Sequence, residues 1–297
     1  MPSNFILISA PAKINLYLGV HPVKDEAGYH RVDSVMSTID ITDTLAISPS
    51  DQLMVRTVPE ADFPQEENTA YKAAVAMGKA FGREPNFAIL IDKHIPIRAG
   101  LGGPSTDAAA TIMGICHFWK LDPSDPRIDE VARSIGADVP FFLYGPPAYL
   151  DGRGDTMKEM FRPLTGTAVA LVKPKTGGVS TCDAYEHFDA DPQEVPALEP
   201  MLEALRKHDE TAVFANVANN LAPAACALAP EIAEIVNWMR QQPDVRAAEV
   251  CGSGSCVFAI CKTQMAAEKI ALSAMNDHNW WSQAARMEKS GPYIAVG

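Results

Sequence analysis

Several familiar signatures are missing from this 297-residue chain, and each absence closes off a class of function. The six cysteines, Cys116, Cys182, Cys226, Cys251, Cys256 and Cys261, form no CxxC pair, and no histidine pair stands near them at zinc-like spacing. A structural zinc site is therefore not expected, and the thiols read as reduced, small apolar residues. No apolar run approaches the roughly 20 residues that a spanning helix needs. The stretch Met1 to Ala12 lacks a cationic start followed by a long apolar segment, so no signal peptide is read there. These absences predict a cytoplasmic protein with no membrane partner. Cations are the minority, with 25 Lys and Arg against 37 Asp and Glu, for a net charge of −12. Such a surface argues against a nucleic-acid partner or an anionic membrane. A nucleotide stays open, because a phosphate needs only a local patch of donors. No internal repeat or low-complexity segment is visible.

What is present is the composition of an ordinary globular protein, 47% hydrophobic and 21% charged. The length predicts two domains sharing a cleft. Helical spacing is expected over Asn68 to Phe81, Ser105 to Trp119, Arg127 to Ile135, Glu199 to Lys207, Ile232 to Arg240 and Met265 to Met275. Strands are expected at Phe5 to Ile8, Leu45 to Ser48, Phe87 to Ile91 and Ala168 to Val172, with two halves over Glu249 to Ile260. Phe188 to Pro200, acidic and proline-bearing, reads as an exposed loop. A polar turn at Asp151-Gly152-Arg153-Gly154-Asp155 suggests a domain boundary, dividing the chain into 1–158 and 159–297. Strands and helices mix without a regular βαβ rhythm, which favours α+β over a doubly wound sheet.

One segment stands out chemically. Ala99-Gly100-Leu101-Gly102-Gly103-Pro104-Ser105-Thr106 runs into an alanine-rich helix. Glycines allow close backbone approach, and a helix start offers unpaired amides and a positive dipole end, so together they can cradle an anion. Ser105 and Thr106 could add hydroxyl donors or reach a magnesium ion. The spacing is neither a Walker A loop nor a dinucleotide fingerprint. The same residues would equally serve as a glycine turn with a hydroxyl cap. Pro104 has no N–H and so removes one donor, while its fixed φ suits the helix entry.

Four further motifs each carry two readings. Gly252-Ser253-Gly254-Ser255 between apolar runs is either a hairpin turn or a second backbone cradle. Pro11-Ala12-Lys13-Ile14-Asn15 puts a lysine and an asparagine inside an apolar run, at a strand end or lining a cleft. Gly28-Tyr29-His30 offers an aromatic face and an imidazole for a base, or an ordinary turn with a packed tyrosine. Gly136-Ala137-Asp138-Val139-Pro140 sets a carboxylate before an apolar run, where it caps backbone or serves as an acid or base.

Taken in order, these motifs resemble those of the GHMP kinases (galacto-, homoserine, mevalonate and phosphomevalonate kinases) from Ser9 to about Ile260. Gly-Tyr-His, Gly-Ala-Asp-Val-Pro-Phe-Phe, Gly177-Gly178-Val179-Ser180-Thr181 and Asn219-Asn220-Leu221 are most similar to one branch of that family. That branch uses ATP to phosphorylate the 2-hydroxyl of a cytidine diphosphate methylerythritol in non-mevalonate isoprenoid synthesis. The resemblance implies an N-terminal domain like domain 2 of ribosomal protein S5, a ferredoxin-like C-terminal domain and an active site between them. ATP would lie on Ala99 to Thr106, with Asn68 and Lys93 near the adenine. Magnesium would be met by Ser105 or Thr106. The small-molecule substrate would be held by Asn15, Tyr29, His30 and Tyr185, with Gly252, Ser253 and Gly254 beside it. Lys13 and Asp138 match the family's catalytic pair, the aspartate as base and the lysine to offset charge near the γ-phosphate. Two positions depart from the family pattern: Pro104 stands where glycine is usual, and Asp107 is one of its Asp/Asn variants. Other readings are a mevalonate- or homoserine-type kinase and a nucleotide sensor without catalysis. A nucleic-acid module is suggested only by analogy of fold and opposed by the charge.

Overall fold

The computed structural model describes residues 5–145 and 147–296; Met1 to Asn4, within the stretch inspected for a signal, lie outside it. Strands β1 (Ile6–Lys24) and β2 (His30–Pro49) form a long antiparallel hairpin, followed by β3 (Met54–Val58), helix α1 (Thr69–Phe81) and β4 (Phe87–Asp92). Helices α2 (Gly103–Trp119), α3 (Pro126–Ile135) and α4 (Val139–Tyr144) come next, then the hairpin β5 (Ala148–Asp151) and β6 (Thr156–Met160). After β7 (Ala168–Lys173) the chain forms α5 (Thr181–Ala190), α6 (Glu199–Lys207), α7 (Glu210–Ala215), the short β8 (Ala218–Asn219), α8 (Ala222–Leu228) and α9 (Pro230–Arg240). It finishes with β9 (Val245–Val250), β10 (Val257–Cys261), α10 (Gln264–His278), β11 (Trp281–Arg286) and β12 (Tyr293–Val296).

Eight strands make the first sheet, on the path β12-β1-β2-β4-β3, with β5 joined to β2 and β8 to β1. The second sheet is antiparallel in the order β11-β7-β10-β9. Its β-α-β-β-α-β succession in that order is the ferredoxin-like arrangement the resemblance implied. One apolar core lies between the first sheet and α1 to α4, around Ile8, Leu45, Ile89, Ala109 and Phe141. Another lies between the second sheet and its helices, around Val172, Ile235, Ala259 and Ile270. A third, including Ile14, Leu16, Leu171 and Phe258, welds the two halves together below the cleft.

Local chemistry explains the element ends. Asn68 caps α1 by accepting from the Ala70 amide, and Gly82 closes it at φ 63°. Asp125 caps α3 in the same way, with Pro126 inside the first turn. Two expectations need correction. β1 and β2 run through whole motifs rather than stopping after short apolar runs, so the Lys13 motif is itself strand. The acidic segment is a loop only over 191–198: α5 extends through Phe188, whose side chain is fully buried, and α6 already includes Glu199 and Pro200.

Candidate active site

The cleft between the halves encloses about 800 Å³ and is lined by Lys13, Asn15, Ala99 to Ser105, Asp138, Tyr185 and Gly252 to Gly254. Strand pleating puts Lys13 and Asn15 there. Ala12, Ile14 and Leu16 alternate with them and are buried in the third core, so the two polar side chains share the opposite face. Lys13 is almost wholly buried, and its Nζ donates to Asn15 Oδ1 at 2.6 Å and stands 3.4 Å from Asp138 Oδ2. Asn15 Nδ2 donates in turn to Ser34 Oγ at 3.0 Å. Asp138 directly precedes α4, and its side chain retains 33% exposure, within reach of a ligand.

The two glycine turns are built against one another. Cys256 N donates to Ala99 O at 3.2 Å and Ser255 N to Arg98 O at 3.3 Å. Gly100 has φ +74°, and a Cβ there would fall 1.9 Å from the Cys251 carbonyl oxygen, so only glycine fits. Gly102, at φ +75°, packs on Lys13, where a Cβ would meet Cγ at 2.9 Å. A bare backbone cradle therefore sits beside the lysine–aspartate pair. Gly102 precedes α2, and the Ser105 and Thr106 amides both donate to its carbonyl. Pro104 is within the first turn but second in the helix, after Gly103. Asn219 Nδ2 holds the second turn from behind, donating to Val250 O at 3.0 Å and Gly252 O at 2.8 Å.

Other expected residues lie elsewhere. Thr106 is fully buried and does not line the cleft, and its Oγ1 finds no hydrogen-bond partner among the described residues. Of the two residues, only Ser105 lines the cleft. Asn68 borders a second cavity with Val58, Phe63 and Leu90. It stays next to the glycine loop, because the neighbouring Thr69 Oγ1 donates to Pro104 O at 2.6 Å. Lys93 is clasped between Asp43 and Asp107, the latter at 2.6 Å. Its ammonium is thus engaged under Gly103, whose Cβ would stand 3.5 Å from Nζ. Burial raises the Asp107 carboxyl to about 7; Lys93 opposes that shift and Asp43 adds to it.

His30 is buried, with Nδ1 2.7 Å from His21 O and Nε2 2.9 Å from Asp189 Oδ1. Its ring centroid is 5.5 Å from that of Tyr185 and 5.6 Å from that of Phe188. Tyr185 carries this aromatic group to the cleft wall, and burial pushes its phenol up to about 12. Tyr29 is 53% exposed outside the cleft, with the Arg153 guanidinium 3.7 Å over its ring. Asp43, Asp189 and Arg153 escaped the sequence reading. Asp189 sat in a segment read as loop, Arg153 in a polar turn read only as a domain boundary, and Asp43 in unremarkable local sequence; folding alone joins them to the site. Among the described residues, no cluster of three or more His, Cys, Asp or Glu could hold a metal ion.

The family models for the GHMP kinases N terminal domain and the GHMP kinases C terminal match residues 68–146 and 201–279. A 4-diphosphocytidyl-2-C-methyl-D-erythritol kinase of Exiguobacterium sibiricum is 35% identical over 267 residues, 89% of this chain and 92% of that protein. Its Bacillus pumilus counterpart is 36% identical over 89% of this chain and 91% of its own length. The crystal structure of a 4-(cytidine 5'-diphospho)-2C-methyl-D-erythritol kinase matches with a TM-score of 0.77 and 29% identity, covering 96% of this chain and all 100% of that one. A homoserine kinase from Cytophaga hutchinsonii shares the fold at a TM-score of 0.74 but only 19% identity, over 99% of this chain and 98% of its own. With its glycine cradle and its lysine–aspartate pair set in one cleft, the chain belongs to the GHMP kinases, and within them to the family of the 4-diphosphocytidyl-2-C-methyl-D-erythritol kinases.

Proposed function

We propose that this protein transfers the γ-phosphoryl group of ATP to the 2-hydroxyl of 4-diphosphocytidyl-2-C-methyl-D-erythritol. The observation that carries the reading is Lys13, whose Nζ lies 3.4 Å from Asp138 and whose side chain packs by Cγ against Gly102 and by Nζ against Gly252 of the two facing turns. Asp138 accepts the hydroxyl proton of the substrate. Lys13, held by Asn15, offsets negative charge developing beside the cradle. The backbone from Gly100 to Gly103 and the start of α2 orient the phosphates. Tyr185, backed by His30 and Phe188, supplies a face for the cytosine ring.

Bound ATP supplies the transferable phosphoryl group, and magnesium neutralises its charge. A phosphate-borne ion suits this donor set, because magnesium keeps waters and needs few protein ligands. Ser105 is the side chain placed to reach it. The acidic surface supports a small-molecule partner rather than nucleic acid, and no helix among the described residues is long and apolar enough to cross a membrane. We place the reaction in the cytoplasm, and the division between two domains near residue 158. Homoserine- and mevalonate-type activities have only the shared fold in their favour.

The test is ADP release by the purified protein with ATP, magnesium and the cytidine substrate. Substrate-dependent ADP is expected, and none above background would sink the assignment. An Asp138→Asn variant should lose roughly 10²- to 10⁴-fold in kcat. Full turnover by that variant would remove Asp138 from the role of base.

A further inference from the structure

Arg98 lies between β4 and α2, two residues before Gly100. Its backbone sits at φ +52°, a left-handed conformation unfavourable to a residue with a side chain. Ser255 holds it there from the other half of the molecule, donating to the Arg98 carbonyl from N at 3.3 Å and from Oγ at 3.2 Å. The exposed side chain lines the cleft and runs along Gly178. A Cβ added at Gly178 would come 2.7 Å from Arg98 Cβ and 3.6 Å from its Cδ, so this approach needs glycine on the facing loop.

Charge singles this residue out. The cations lining the cleft are Lys13, Arg98 and Arg153. Lys13 is paired with Asp138, while Arg153 is 3.3 Å from Asp25 and stacked on Tyr29. Lys93, under the glycine loop, is spent on two aspartates. Among the described residues Arg98 alone of these has no ion pair. A guanidinium is a planar fork that matches phosphate oxygens, and strained backbone at a cleft wall is often retained for binding. On the far side of the same loop, Pro104 has removed an amide donor from the cradle.

We infer that Arg98 is a phosphate-positioning residue, gripping the oxyanions of a nucleoside di- or triphosphate held between the glycine loop and Gly178. The inference rests on the kinase reading above. Two sources share this chemistry: the phosphates of ATP and the diphosphate of the cytidine substrate.

The informative variant is Arg98→Gly, because glycine suits the observed φ and the fold is kept. Calorimetric titration with ADP and with CDP should show the affinity of at least one falling by about tenfold or more. Arg98→Lys should recover part of the loss, as a charge without the fork. Weakening toward ADP alone assigns the ATP phosphates, and weakening toward CDP alone assigns the substrate diphosphate. Affinities for both that match wild type overturn the role of Arg98 and leave the kinase reading standing. Wild-type protein that binds neither nucleotide brings down both.

Discussion

Replacing Gly100 with alanine tests how the two glycine turns are locked. The new Cβ would lie 1.9 Å from the Cys251 carbonyl oxygen, where ordinary contact begins near 3.4 Å, so backbone must move by about 1.5 Å. Neither side can yield as a flexible side chain would. The positive φ costs about 1 to 2 kcal/mol, and the crowding about 1 to 3 kcal/mol more. Movement of Cys251 also carries Gly252, which packs on Lys13 Nζ. A displacement of about 1 Å at a reacting centre lowers rates by roughly 100-fold, so kcat/KM should fall at least that far. Gly82→Ala is the control. It too has positive φ, but nothing lies within 4 Å of its Cβ position, and it caps a helix away from the cleft. That variant should lose about 1 kcal/mol and keep full activity. Coupled ADP release and thermal melts of both variants decide the matter. Gly100→Ala with turnover within about threefold of wild type, melting like Gly82→Ala, would refute the locking.

Two more predictions concern groups behind the cleft. Phe188→Ala removes a fully buried ring that meets His30 edge-on, so denaturant melts should show a loss of about 3 to 5 kcal/mol. A loss under about 1 kcal/mol would mean that the ring is not part of the core. Asp107 predicts a pH effect. In the folded chain it holds its proton up to about 7, against an ordinary 3.8, so its stabilising contribution is complete below the lower value and lost as pH rises through the upper. Asp107→Asn lacks that dependence, and its melting temperature should gain on wild type between about pH 5 and about pH 8. A constant difference across that range would contradict the assignment.

Six helices were legible from local signals, as in α1 with its Asn cap, apolar stripe and closing glycine and α3 with its Asp-Pro start, whereas α4, α5, α7 and α8 were not read. The long strands were not. β1 passes through Pro11 and changes register beside it, so a motif that looks like an interruption is continuous strand. Ordered spacing of the motifs pointed to Lys13, Asp138 and both glycine turns, all of which meet in the cleft. Thr106 was not separable from Ser105 by sequence, since one residue along a helix rotates a side chain by about 100° and turns it from the cleft into the protein. The clasp on Lys93 joins residues 50 and 14 positions away, a pairing no local pattern encodes.

The pairing of β12 with β1, through Leu7 with Val296, Ile8 with Ile294 and Ser9 with Tyr293, sets an order of assembly. Strand β1 is made well before β12, yet one border of it waits for residues 293–296, and β8 also joins it from the second half. A nascent chain halted after β6 would present an unpaired strand edge, open to pairing with other chains. Lys13 rides on that same strand, so the segment that carries it is bordered on both sides only once residues 293–296 have paired.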